Sequence, residues 1–586
     1  MNGTAANGGV RNVIVVGGGL AGLMATIRAA EKGARVDLFS AVPVRRSHSV
    51  CAQGGINGAK DTRGEGDTPF KHFDDTIYGG DFLANQTPVK GMCEAAPGII
   101  DMFDRMGVMF NRTPEGLVDM RRFGGTLYHR TAYAGATTGQ QLMYALDEQV
   151  RRLEAEGLVR KFENREFLSI APDGEGRCRG ITAMNLDSMK VEAFPAGATI
   201  LCTGGLGMIF GAWTTNSRNS TGSAAGAAYQ QGAVFANGEF IQVHPTSIPG
   251  EDKQRLMSES ARGEGGRIWT YRDGKPWYFL EEWFPLYGNL VPRDVASRAI
   301  FKVIFEMKLG VNGENVVFLD LSHMDPAQLQ AKLGGILEIY EKFAGDDPKK
   351  IPMRVFPAVH YSMGGLWVDF DHMTNVPGLF AAGECEYQYH GANRLGANAL
   401  LACVYGGGIA GDRSADYAAN LRNKGTDSSI FTNEVKRQGE INDGILKSDG
   451  SENPFNLWRE MGKWMSENVT VIRRNDAMKK TDEKLQELLD RCRRLKLPDS
   501  GGWSNQSLVF ARRLHNMLHI ARVITLGAVL REESRGAHYK PDSPDRNDDQ
   551  WLKTTRAKHT PDGPAFSYEE VDVRHIPPRP RKYDIE

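Results

Sequence analysis

The sequence predicts an α/β chain: a Rossmann-like dinucleotide-binding domain interrupted by an α+β capping domain and followed by a helical bundle and a C-terminal tail. Three observations predict it. A glycine fingerprint stands between a strand-like and a helix-like segment at Val13 to Lys32. Glycine-rich turns at Thr203-Gly204-Gly205 and Gly391 to Gly396 repeat that pattern far downstream. Beyond Gly411 the apolar residues change to helical spacing.

Val13-Ile14-Val15-Val16 is a short apolar run with the form of a strand buried on both faces. Gly17-Gly18-Gly19-Leu20-Ala21-Gly22 is a G-x-G-x-x-G turn, Ala21 to Lys32 reads as a helix, and Ala34 to Phe39 as the next strand. In such a unit Gly17 permits the turn, Gly19 lets backbone approach a pyrophosphate, and Gly22 lets helix and strand pack closely. Together with Gly18 and Ala21 they mark the phosphate site at a helix N-terminus. The motif alone is common; its place between strand and helix is what points to a bound dinucleotide. Ser40 stands near where an acid would hold the ribose of NAD, which counts against NAD. Ile200 to Gly205 looks like the strand and turn that many FAD enzymes add on returning to the nucleotide, bringing Thr203 and Gly204 to it; alone, it also reads as a simple strand-ending turn.

Just downstream, Arg46-Ser47-His48-Ser49-Val50-Cys51-Ala52-Gln53-Gly54-Gly55 offers one imidazole where a flavin would sit. A histidine there can bond the isoalloxazine covalently and raise its reduction potential, which suits oxidation of a poorly activated substrate.

Three segments concentrate groups suited to a small dianion. Glu239 to Thr246 places His244 at the end of an alternating, strand-like run. Met257 to Gly266 sets Ser258, Glu259 and Arg262 close together on a glycine-rich loop, and Val291 to Arg298 puts Arg293 near a helix start. Each alone would more often be structural. In the C-terminal half, His360 precedes a glycine turn, Leu379 to Glu384 is a strand ending in a carboxylate, and His390 to Leu401 turns into a helix that could point its N-terminus at a flavin.

Composition sets bounds. The 586 residues, 41% hydrophobic, can bury more than one domain core, and a net charge of -1 argues against a nucleic-acid partner. The seven cysteines form no C-x-x-C pair and read as reduced thiols of a cytosolic protein. Nothing before Val13 has the form of a secretory signal, and no window approaches the roughly 18 to 20 apolar residues of a membrane span, so membrane contact is expected through a partner.

Taken together, these segments resemble the flavoprotein subunit of the succinate dehydrogenase and fumarate reductase family. The resemblance rests on Ser47-His48-Ser49, His244-Pro245-Thr246, Arg262-Gly263-Glu264-Gly265 and Gly391-Ala392-Asn393-Arg394-Leu395-Gly396 in order, and continues through Arg531 to Tyr539. Phe123-Gly124-Gly125-Thr126 and His129 to Gly135 look most like the menaquinone-linked bacterial branch. It implies covalent FAD through the 8α-methyl group on His48, with Arg46, Ser47, Ser49, Gln53, Gly54, Gly55, Asn398, Ala399 and Leu400 around the cofactor and Glu384 on the adenosine ribose. His244, Ser258, His360 and Arg394 would hold the two carboxylates of succinate or fumarate. Arg293 would exchange the proton, with Glu259 and Arg262 as its relay to solvent. An arginine is normally just a charge, but a closed cavity and a neighbouring carboxylate suit it to this role.

The expected divisions are residues 1–247 and 357–413 for the FAD-binding domain, 248–356 for the cap, 414–530 for a helical domain and 531–586 for the tail. The helical part shows two core stripes, Leu485, Leu488, Leu489, Cys492 and Leu495, then Leu514, Met517, Leu518, Ala521 and Ile524. The tail, poor in apolar stretches, would wrap the body or meet a partner.

The resemblance further implies an iron-sulfur subunit, a quinone-binding membrane anchor with haem b, and a position on the cytoplasmic face of the membrane. L-aspartate oxidase shares the fold but lacks a counterpart of His48; a haem-bearing soluble reductase would need C-x-x-C-H, which does not occur. A non-catalytic flavin-binding subunit would have no reason to keep Arg293, Glu259, His244 and Arg394 together. Two departures stand out. Ser258 replaces the threonine of many relatives, and Ser223 in Thr221-Gly222-Ser223 replaces an aspartate near the nucleotide.

Overall fold

The computed structural model describes residues 12–421 and 427–583. The segment before Asn12, where a leader would be sought, and the last three residues of the tail lie outside the described residues.

The apolar run at the start forms the strand Asn12–Val16, with Val13, Ile14 and Val15 fully buried. It is the centre of a five-stranded parallel sheet, flanked on one side by Ala198–Leu201 and then Leu379–Ala381, and on the other by Arg35–Ser40 and then Val159–Glu163. Burial on both faces is why it carries no polar alternation. The return of the chain near residue 200 is therefore a strand added beside the first one.

The turn after Asn12–Val16 requires its glycines. Gly17 adopts φ +117°, and a Cβ there would lie 2.0 Å from the Cys202 carbonyl oxygen; one on Gly22 would lie 1.7 Å from the Gly17 carbonyl oxygen. The helix Leu20–Glu31 then packs against Asn398–Asn420, where Gly407 and Gly411 bring the two backbones together over Ala21 and Ala25.

The cap is built on a six-stranded antiparallel sheet in the order Arg255–Leu256, Ile241–Ile248, Met353–Ser362, Val317–Asp320, Arg267–Arg272, Lys275–Trp277. The helix Pro326–Ala344 buries Leu329, Leu333, Ile336 and Leu337 in its core. Divisions at 247/248 and 356/357 fall inside the paired strands Ile241–Ile248 and Met353–Ser362. These two strands run from one domain into the other as one ladder, so the seam is rigid where it carries His244 and His360. His244 is mid-strand, beside a register shift, rather than at a strand end. The next division is also crossed by structure, because Asn398–Asn420 continues past residue 413.

Four helices follow, Ser428–Lys447, Pro454–Asn468, Asn475–Arg491 and Gln506–Leu530. Leu485, Leu488, Leu514, Met517, Leu518, Ala521 and Ile524 are fully buried, and they share one core with the sheet face carrying Ile14 and Leu201. The tail holds a hairpin that its polarity conceals, Lys553–Thr560 with Gly563–Glu570, paired onto Phe235–Ala236. It then crosses the body: Gln86 Nε2 donates to the Ile576 carbonyl at 2.8 Å, and Arg581 pairs with Asp294 at 2.6 Å. Among the described residues no helix is long and apolar enough to cross a membrane.

Candidate active site

One cavity runs from the glycine turn to the seam between the domains. At its nucleotide end stand Gly17, Gly18, Gly19, Ala21, Ser40, Thr203 and Gly204; at its middle Arg46, Ser47, His48, Ser49, Gln53, Gly54, Gly55, Glu384, Ala399 and Leu400; at its far end His244, Ser258, Glu259, Arg293, His360 and Arg394. Three expected residues do not line it. Gly22 lies beneath the turn against Gly17, and Arg262 stands behind Glu259. The Asn398 side chain turns away into a buried network, accepting from Asn57 Nδ2 at 2.7 Å, donating to Thr76 Oγ1 at 2.9 Å and meeting His72 Nε2 at 2.9 Å. Asn398 therefore fixes the start of its helix rather than facing the cavity.

The nucleotide end fits a dinucleotide on its own geometry. The helix Leu20–Glu31 has Gly19 at its N-cap and no side-chain cap, which leaves its amide dipoles facing the cavity. Thr203 Oγ1 is buried without a partner. Ser223 starts the helix Ser223–Gln230 and accepts from Asn516 Nδ2 at 2.9 Å, so the missing carboxylate leaves a hydroxyl that the protein itself partners. The ion pair of Arg513 with Glu166, at 2.6 Å, also lines this end; separated by 347 positions in sequence, it left no local signal.

Ala397, the N-cap of Asn398–Asn420, holds a left-handed φ of +63°, a strained conformation for a residue with a Cβ. Asn57 supports the bend, its Nδ2 donating to the Gly396 carbonyl at 2.8 Å. Glu384 stands against Gly205 and accepts from the Ser362 amide at 3.1 Å. Burial pushes its carboxyl up to about 7, against the pull of the Ser362 amide and of Arg394. Gly205 follows the glycine turn of the nucleotide end and Ser362 ends the strand that carries His360, so Glu384 stands between the two ends of the cavity.

His48 begins a short helical turn, His48–Cys51. Its Nε2 accepts from Asn216 Nδ2 at 3.3 Å, while its Nδ1 is buried without a partner. Burial, then the charge of Lys253, brings the imidazole down to about 4, so it is neutral near pH 7.

At the far end Glu259 is the hub. Its Oε2 accepts from Arg293 Nε at 2.9 Å and Nη2 at 2.6 Å, and its Oε1 from Arg262 Nη2 at 2.6 Å. Burial alone would raise the Glu259 carboxyl, but the charges of Arg293 and Arg262 outweigh it and hold it below the usual glutamate range. Arg262 Nη1 ends on the carbonyl oxygens of Asn289 at 2.7 Å and Val291 at 3.4 Å, and its side chain is fully buried. The chain Arg293–Glu259–Arg262 is thus continuous, but it stops at backbone rather than reaching solvent through Arg262.

Gln242, two residues before His244 on the same strand face, accepts from Arg293 Nη1 at 2.9 Å. The alternation of that strand was the signal that could have found it. His244 and His360 meet at 5.0 Å between ring centroids, and burial, then the charge of Arg293, holds both far below the usual histidine range. His360 Nδ1 lies 2.7 Å from Thr215 Oγ1. Ser258 Oγ donates to Ser260 Oγ at 3.0 Å. Arg394 stacks over the Tyr361 ring at 4.4 Å, its Nε is buried without a partner, and burial, then the charge of Arg293, lowers it to about 9. Three guanidinium groups lie about the Glu259 carboxylate, with Glu384 the next acid to act on Arg394, so this end of the cavity carries an excess of positive charge.

A glycine-cradled dinucleotide cavity ending in a cationic pocket with a buried arginine–carboxylate hub defines a flavin-dependent oxidoreductase. Residues 12–400 match the FAD binding domain family, and residues 458–583 match the fumarate reductase flavoprotein C-terminal family. The chain is 65% identical to the succinate dehydrogenase flavoprotein subunit of Bacillus subtilis (strain 168), covering 98% of each chain. It is 34% identical to the fumarate reductase flavoprotein subunit of Escherichia coli (strain K12), covering 98% of this chain and 96% of that one. Its structure superposes on a mutant of the E. coli quinol fumarate reductase with a TM-score of 0.92, at 32% identity and covering 97% and 98% of the two chains. The chain belongs to the family of succinate dehydrogenase and fumarate reductase flavoprotein subunits, and its cofactor is FAD.

Proposed function

We propose that the chain interconverts succinate and fumarate with FAD bonded to His48, and passes the electrons to an iron-sulfur subunit and on to quinone through a membrane anchor. The observation that carries this reading is the far end of the cavity, where excess positive charge meets a buried arginine–carboxylate hub. FAD supplies the centre that accepts or donates hydride.

The residues present fit that cofactor. Gly17, Gly18, Gly19 and the helix start behind them suit the pyrophosphate, Ser40 and Glu166 stand at the adenosine end, and Glu384 suits the hydroxyls of the linking ribityl chain. His48 offers the neutral nitrogen that a bond to the ring's 8α carbon needs. The N-terminus of Asn398–Asn420 provides dipoles that stabilise negative charge on the reduced ring.

The protein does the rest. Arg394 with His360 and His244 with Ser258 are read as the two carboxylate clamps that fix a C4 dicarboxylate across the pocket; a monocarboxylate would lose one of them. Arg293 moves the proton. Held by Glu259 and Gln242, its guanidinium gives a proton to one central carbon of fumarate as the other receives hydride, and takes one from succinate in reverse. Glu259 then passes to Arg293 a proton drawn from solvent and returns to its ionised state. The cap excludes water from this exchange.

The names of the relatives as subunits, and of the E. coli structure as a quinol fumarate reductase, support the partner assignments. The chain is read as peripheral on the cytoplasmic face of the membrane, in a menaquinone-linked complex whose anchor carries haem b. Denaturing electrophoresis tests the tether. Flavin fluorescence should stay with the parent chain and vanish from His48→Ser, while the variant still binds FAD reversibly; release of all flavin from the denatured parent overturns the reading.

A further inference from the structure

Between the imidazoles of His48 and His360 runs the segment Thr215-Asn216; the Asn216 side chain holds the first ring and the Thr215 side chain meets the second. Asn216 Nδ2 donates to His48 Nε2 at 3.3 Å and to the His360 carbonyl at 2.9 Å, and Thr215 Oγ1 lies 2.7 Å from His360 Nδ1. The carbonyls of the same two residues face a single ammonium. Lys253 Nζ donates to Thr215 O at 3.2 Å, to Asn216 O at 2.9 Å and to Gln254 O at 3.3 Å.

A lysine ammonium has three donors, and these three carbonyls use all of them. The acid next to it in sequence, Asp252, pairs instead with Arg255 at 2.7 Å. Lys253 is half-buried, and burial pulls its ammonium below the usual lysine range. Such a group would be more stable in water or beside an acid. What the arrangement provides is orientation. Peptide units are planar, so fixing two successive carbonyls fixes the planes from which the Thr215 and Asn216 side chains project. Lys253 belongs to the loop between Ile241–Ile248 and Arg255–Leu256, at the edge of the cap sheet, whereas His48 lies in the FAD-binding domain.

We propose that Lys253 is a positioning residue that reaches from the cap to grip the Thr215-Asn216 backbone, and so sets the flavin-tethering imidazole of His48 and the substrate imidazole of His360 together. The proposal rests on the reading of those two histidines given above. The charge of Lys253 also opposes protonation of the His48 imidazole.

The test uses the assembled enzyme with Lys253→Met, which keeps the length of the side chain and removes its donors, and Lys253→Arg, which restores them. Lys253→Met should fold, with a thermal midpoint like the parent's. The share of flavin that stays with the denatured chain should fall by about half or more, and KM for succinate should rise roughly tenfold with a smaller change in kcat, the size of effect expected for one charge-assisted hydrogen bond. Lys253→Arg should recover most of both. Asn216→Leu, which cuts the link to His48 directly, should reproduce the tether loss. Parental flavin retention and parental KM in Lys253→Met, beside a tethered parent, overturn the proposal alone. Release of flavin from the parent overturns the tether reading first, and the proposal falls with it.

Discussion

Two clusters of buried arginines and carboxylates lie in this molecule, and they differ in what they leave unpaired. In the C-terminal cluster Arg531 and Arg535 pair with Glu239, Glu533 and Asp548, Arg546 joins Asp548 to Asp81, and Arg473 donates to the Glu239 carbonyl oxygen; what stays unpartnered there is a carboxylate oxygen, Glu239 Oε2. Arg531 places all five of its donors: on Glu239, on Glu533, on the carbonyls of Trp551 and Lys553, and on Thr555. At the cavity end Arg293 and Arg262 share Glu259, Arg394 is drawn by Glu259 and Glu384 without an ion pair to either, and its Nε is a buried donor without a partner. Burying a charge is tolerated when it is matched and hydrogen-bonded. A cluster that is not matched, and that opens on a cavity, is completed by a ligand. The excess of positive charge there suits an anion such as a dicarboxylate.

The largest effect belongs to the unmatched cluster. Arg293→Ala should lower kcat for succinate oxidation by about a thousandfold or more, within the range that a positioned acid–base group contributes. Covalent flavin should remain, as read by fluorescence on a denaturing gel. Arg293→Lys should recover little, because an ammonium cannot offer the planar fork that reaches Glu259 and Gln242 together. Appreciable turnover in Arg293→Ala would move proton transfer to another group.

The matched cluster should respond in a different observable. Glu533→Gln leaves Arg531 and Arg535 short of a buried partner and should cost about 3 to 5 kcal/mol of stability, the usual price of breaking a buried pair. The enzyme that remains folded should keep the parental KM and the parental dependence of kcat on pH. Glu259→Gln should do the reverse. The same change of oxygen to nitrogen next to Arg293 should alter the pH profile of kcat, and succinate should raise the melting temperature of the variant. If Glu533→Gln moved the pH profile as Glu259→Gln does, the division between matched and unmatched clusters would fail.

The sequence made the lining of the cavity legible and concealed what supports it from behind. Gly17 to Gly22 could be read because the motif is local and each glycine answers a backbone contact within one turn. His244, Glu259, Arg293, His360 and Arg394 could be read because the family resemblance covers each of them. Thr215, Asn216 and Lys253 left no such trace: they act through carbonyls and amides, and nothing in their spacing says which imidazole they meet. Asn398 shows the opposite failure, a polar residue at the right place in the motif whose side chain is spent beneath the loop. The divisions expected at 247/248 and 356/357 could not reveal that Ile241–Ile248 and Met353–Ser362 pair across them, because the two strands meet from more than a hundred positions apart in sequence. The tail hairpin was missed because its strands are polar, although Pro561-Asp562-Gly563 between them is a local turn signal that could have found it.

The smallest effect tests how finely the unmatched cluster is tuned. Ser258 is buried, and its hydroxyl donates to Ser260 Oγ at 3.0 Å while accepting from the Ser260 amide at 3.3 Å. Those two contacts already orient the oxygen. Ser258→Thr would add a methyl group and a stiffer χ1 while keeping the hydroxyl. Because the side chain lines the cavity, the methyl has a space to enter. KM for succinate should therefore stay within about twofold of the parent, a few tenths of a kcal/mol, with kcat unchanged. Ser258→Ala removes the oxygen and should raise KM roughly tenfold, as expected for one buried hydrogen bond. If threonine were as damaging as alanine, the direction of the hydroxyl rather than its presence would govern the clamp, and the charge count alone would not explain how the pocket holds its ligand.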